Sequence, residues 1–105
     1  MDINDINILI KEIEKRLSED EKDILSEPTL QAEYFISKIK EEPNIKKAYL
    51  NGIYDLLPEN EAVIEILNEL KGELPIIDNR IPTLITRLNN LTNHYKKLIK
   101  AIEQA

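Results

Sequence analysis

Apolar residues recur at helical spacing along almost the whole chain, and the pattern is most regular at its two ends. Ile81, Leu84, Leu88, Leu91, Tyr95, Leu98 and Ile102 follow one another at intervals of 3, 4, 3, 4, 3 and 4. This is an unbroken heptad seam, one apolar stripe along one side of a helix. Such a stripe must be shielded from water, so the helix is expected to lie against other helices. Ile85 and Ile99 flank the seam and widen it, which favours burial in a bundle over a bare two-stranded coil. At the other terminus Ile3, Ile6, Ile10, Ile13 and Leu17 repeat the 3, 4, 3, 4 spacing and predict a helix over 3–17.

The intervening elements are marked by their stops and starts. Asp2 or Asn4 is placed to cap the first helix. Lys11, Lys15 and Arg16 gather near its end, where the helix dipole favours positive charge. Ser18 followed by Glu21 is a candidate capping box that restarts or extends the helix through Ile24 and Leu25. Ser26-Glu27-Pro28 reads as a second start, and Leu30, Tyr34, Phe35, Ile36 and Ile39 carry a helix to about Glu41, where Pro43 stops it. Ile45, Ala48, Tyr49, Gly52, Ile53 and Leu56 form a third helical face, with Gly52 as a close crossing or a bend.

Leu57-Pro58-Glu59-Asn60 predicts the next break. Val63, Ile64, Ile66, Leu67 and Leu70 predict a fourth helix, with Gly72 as its C-terminal cap. Residues 73–82, with Pro75 and Pro82, read as a short turn or linker. The last helix is expected to start near Pro82 or Thr83. No stretch alternates with a period of two for long enough to predict a strand. The expected fold is all-α: a single domain over 1–105 with four or five helices, an antiparallel bundle or hairpin ending in a long coiled-coil-type helix, and a possible break at 72–82.

Composition agrees and adds an asymmetry. The apolar content is mostly Ile and Leu, with five aromatic residues and no Trp, which suits interdigitating helices. Of the net charge of −6, residues 1–27 carry −5, residues 28–79 carry −5 and residues 80–105 carry +4. The two termini are thus electrically complementary, and helices from opposite ends are expected to pair, within or between chains. A polyanionic partner is disfavoured. The basic residues Arg80, Arg87, Lys96, Lys97 and Lys100 are few and lack interleaved aromatics, so nucleic acid is not expected. No apolar run approaches the ~20 residues that span a bilayer, so membrane insertion is not expected either. Asp2 and Asp5 stand where a secretory signal would be basic, and with no Cys a cytoplasmic setting is expected.

The chemical inventory is sparse. His94 is the only His, so a His-based metal site or a Ser-His-Asp triad would have to use it. Its place beside the seam predicts a partly exposed flanking residue. Glu19, Asp20, Glu21 and Asp23 lack the alternating ligands and central Gly of a calcium loop and read as a solvated helix start, or as a docking patch for a basic surface. Asn90-Leu91-Thr92 matches a glycosylation sequon but falls inside the seam. Tyr95 reads as a core residue, with a hydroxyl contact to a partner as the alternative. No enzyme, cofactor, metal site or small-molecule substrate is expected.

One pattern is more specific than a generic helix. It runs from Leu57-Pro58 through Leu74-Pro75 to Ile81-Pro82, Leu84, Arg87-Leu88, Leu91 and His94. This arrangement resembles dynamitin and the smaller shoulder subunit of dynactin, over roughly residues 57–104. The resemblance implies a non-enzymatic helical scaffold in dynein-driven transport, part of the shoulder that links the dynactin arm to its filament. Chains of that family are considerably longer than this one.

Two function classes follow. In the first, an assembly scaffold, the seams pack against a helical protein partner or a second copy. Its interaction residues would be Ile81, Leu84, Arg87, Leu88, Leu91, His94, Tyr95, Leu98 and Ile102, with Ile3, Ile6, Ile10, Ile13 and Leu17. In the second, a small acidic helical-bundle inhibitor or immunity-type protein, the seams are internal core and the protein binds a single target.

Overall fold

A computed structural model describes residues 2–24, 28–73 and 79–105. Among these residues the chain is all-α, in the order α1 (Ile3–Ile24), α2 (Pro28–Glu41), a 3-10 turn (Pro43–Ile45), α3 (Lys46–Glu73) and α4 (Arg80–Gln104). The expectations for Leu25, for the Ser26-Glu27 start and for Leu74 to Asp78 lie outside the described residues.

The α1 helix runs unbroken past Ser18, so the acidic run there extends it instead of restarting it. Its first turn is capped by Asp2, whose Oδ1 accepts the Asp5 backbone N–H at 2.9 Å. The α4 helix starts at Arg80, two to three residues ahead of the expected start. Pro82 therefore sits inside the first turn, where its missing N–H costs no helical hydrogen bond.

The expected break at residues 57–60 is absent. One helix runs through Pro58, and the third and fourth expected helices are a single rod of 28 residues. Tyr49, Ile53, Leu56, Asn60, Val63, Leu67 and Leu70 are spaced 4, 3, 4, 3, 4 and 3, so a third heptad seam passes straight through the proline. Burial of that seam outweighs the local cost of Pro58. Pro58 and Tyr54 are both solvent-exposed, which leaves the Tyr54 carbonyl, deprived of its i+4 donor, on the wet side of the helix. Gly72 lies within α3 and has no positive φ, so it is not a left-handed cap. A Cβ added at Gly52 would meet nothing within 4 Å, which rules out a close crossing there.

The α3 and α4 helices form the most extensive interface. They are antiparallel: Lys46 Nζ donates to the Glu103 carbonyl at 3.0 Å at one end, and Asn60 Nδ2 donates to Thr92 Oγ1 at 3.3 Å midway. Both α1 and α2 pack on α4 as well. The α1 helix is parallel to α4, since Asn7 meets Arg80 and, further along, Ser18 meets Arg87. Near the start of α3, the α2 ring of Phe35 meets Tyr49 edge to face at 4.8 Å. The molecule is elongated, 54 × 21 × 17 Å, with α4 as the element that the other three helices share.

Pro58→Ala restores a donor to the helix interior without disturbing a buried contact. It should stabilise the protein by about 2 kcal/mol, read as a raised urea midpoint. A lowered midpoint would mean that the proline shapes α3 in a way the core needs.

Candidate functional site

The α4 seam is spent within the chain. Ile81, Leu84, Leu88, Leu91, Tyr95, Leu98 and Ile102 are all buried against the chain's own helices, as are Ile6, Ile10 and Leu17 of α1. Ile13 is half-buried. Ile3 is 64% exposed and takes no part in the α1 seam. Its place at the first residue of the helix puts it beyond the region where α4 covers α1.

The flanking polar residues turn inward too. Arg87 reaches from α4 to α1, where Nε donates to both Glu21 carboxylate oxygens at 3.1 and 3.2 Å and Nη2 donates to Glu21 Oε1 and, at 3.2 Å, to Ser18 Oγ. The Ser18 and Glu21 side chains thus meet Arg87, not each other's backbone as a capping box would have them. The Glu21 carboxylate pushes the Arg87 guanidinium above its ordinary pKa. At the head of α4, Arg80 Nη2 donates to Asn7 Oδ1 at 2.6 Å. The pairing of terminal helices expected from their opposite charge is therefore a contact within one chain.

His94 is half-buried. Its Nε2 atom is enclosed without a hydrogen-bond partner among the described residues. Burial, and next the nearby Lys97, lower its pKa, so it is neutral at physiological pH. Tyr95 lies in the core, and its hydroxyl is pushed up to about 12 by burial and then by the carboxylates of Asp20 on α1 and Glu59 on α3. No group of three or more His, Cys, Asp or Glu among the described residues is placed to hold a metal ion. No helix among them is long and apolar enough to cross a membrane.

What the core leaves open is a groove. The α1 and α3 helices each pack more extensively on α4 than on one another, and a cleft of about 510 Å³ lies between them. Leu9, Ile13 and Leu17 form one wall, Ala62, Val63 and Ile66 the other, and Leu88 of α4 the floor. Glu12, Arg16 and Asp20 stand along the α1 side, with Glu59 and Asn60 on the α3 side. Ile66 remains 40% exposed. Only Ile13, Leu17 and Leu88 of these groove residues are among the expected interaction residues. The α3 wall was hidden by reading Pro58 as a helix end. Carrying the heptad count through the proline would have placed Val63 on one face and left Ala62 and Ile66 beside it.

The chain matches no known family model, no curated protein and no solved structure. The dynactin-shoulder likeness thus rests on the positions that carry it, of which Ile81, Leu84, Leu88 and Leu91 are core side chains with a packing reason for being apolar.

A double-mutant cycle on Arg87→Ala and Glu21→Ala should return a coupling of about 1 kcal/mol, because the pair is bidentate and partly shielded. Additive single effects would show that the clamp contributes nothing. For His94 the folded pKa lies below the unfolded value, so the unfolded chain takes up the proton first as pH falls. Stability should therefore fall from about pH 7 toward pH 5, and His94→Gln should flatten that slope in urea titrations. An unchanged slope would place the titrating group elsewhere.

Proposed function

We propose that this protein is a non-enzymatic binding module: a small acidic helical bundle of the inhibitor or immunity type that acts by engaging one macromolecular target. The observation that carries this reading is the burial of the α4 seam under α1, α2 and α3 of the same chain. With its own seams filled, such a bundle is complete as a monomer, and recognition falls to the surface between its helices. Its acidic balance favours a basic target surface over a polyanion.

The other reading is an assembly subunit of the dynactin-shoulder kind, working in dynein-based transport. It would draw on helices beyond this core or on a rearranged seam. Light scattering after size-exclusion chromatography separates the two, since the binding-module reading expects a monomer across a wide concentration range. A stable dimer or larger assembly would favour the scaffold.

Leu91→Asp sharpens the test. Leu91 is fully buried, and an unpaired buried charge costs several kcal/mol, on the order of the whole stability of a small domain. The binding-module reading expects global loss of helix by circular dichroism. A variant that keeps its helix content and only changes oligomeric state would contradict it.

A further inference from the structure

We infer that the groove between α1 and α3 is a docking site for a basic amphipathic helix of the target protein, an inference that rests on the binding-module reading. Three observations converge on it. First, the shape is that of a bundle lacking one rod. The two walls are helices seated on a shared third helix, and the apolar stripe on the α1 wall runs from Leu9 to Leu17, about 12 Å or a little over two helical turns at 1.5 Å per residue. An apolar trough of that length, floored by Leu88, takes the i, i+3, i+4 and i+7 anchors of a short helix.

Second, the apolar wall is exposed in a way the core does not explain. Ile66 faces outward from α3 beside half-buried Val63, while the buried side chains of α3 are Ile53, Asn60, Leu67 and Leu70. An Ile in this position adds little to folding and gives an incoming helix a contact.

Third, the charge selects the occupant. The α1 helix carries seven carboxylates against four basic side chains, and α3 carries six against three, so each helix is net −3. Glu12, Asp20 and Glu59 line the groove itself, against Arg16 alone. The fold already uses this complementarity once: α4, with five basic side chains and one acidic, lies against both α1 and α3. A second basic helix entering from the open side meets the same two negative walls. A second copy of this chain is a poor fit, because its only basic helix has its apolar face buried.

The test uses two synthetic 14-residue peptides with one shared Leu pattern at i, i+3, i+4 and i+7, one filled out with Lys and the other with Glu. Binding to the full chain is followed by fluorescence anisotropy. The Lys peptide should bind, more weakly as salt rises, and the Glu peptide should bind at least about tenfold more weakly. Ile66→Ser and Glu59→Lys should each weaken the Lys peptide by about fivefold or more with the melting temperature unchanged. Glu33→Lys makes the same charge change on α2, away from the groove, and should have little effect.

Equal binding of both peptides overturns the inference. So does a Glu33→Lys loss as large as that of Glu59→Lys, which would mark diffuse attraction to a chain of net charge −6. A monomer that binds neither peptide overturns the groove assignment and leaves the binding-module reading standing. A dimer whose groove amides are shielded from solvent overturns both.

Discussion

The burial of one apolar stripe organises this molecule. The seven seam residues of α4, from Ile81 to Ile102, are each within a few per cent of full burial. At about 1.5–3 kcal/mol for each large aliphatic side chain removed from water, the seam supplies a gross driving force on the order of 10 kcal/mol or more, before the entropy of ordering the chain is set against it. The most extensive contacts of α3, and substantial contacts of α1 and α2, are all made to it. Remove α4 and the α1, α2 and α3 helices lose the surface they share.

Polar contacts then fix how the rods sit. In the middle of the α3–α4 interface, Asn60 occupies a heptad position that an Ile or Leu would fill more stably, and its amide meets Thr92. A buried Asn in a helical seam selects one register, because any slip leaves it unpaired against apolar neighbours. Lys46 and Tyr54 hold the far end through Glu103, with the Tyr54 hydroxyl 2.6 Å from the carboxylate. Arg87, bridging to Ser18 and Glu21, sets α1 alongside α4 in the parallel sense. Stability comes mainly from the apolar seam, and geometry from these few polar links. The groove follows from that geometry, since α1 and α3 are each fixed chiefly to α4.

Local signals were enough to read α1, α2 and α4 from the residues themselves. Ile6, Ile10 and Leu17 share a face, Pro28 opens α2, and α4 shows a heptad without a gap. The α3 helix departs from the expected break at Pro58 because a seven-residue repeat runs through the proline and outweighs the preference of that single residue. Gly72 differs from expectation in the same way: a Gly near a helix end need not take the left-handed conformation. The opposite charges of the termini correctly pointed to α1 beside α4, although the residues alone did not specify Arg87 with Glu21. The α3 wall of the groove is legible once the repeat is carried through Pro58, but the groove itself is not. It depends on how far apart two helices stand on a third, and no periodicity encodes that distance.

For function, an exposed seam would leave the chain dependent on a partner for folding, whereas a filled seam frees its surface for recognition. Hydrogen exchange on the free protein, followed by mass spectrometry from high to very low concentration, decides between these most directly. If α4 is covered by its own chain, its central amides around Leu88 to Tyr95 should be among the slowest to exchange, at a rate that dilution does not change. Exchange there that accelerates as the protein is diluted would mean that the cover comes from another molecule, and the account would fail.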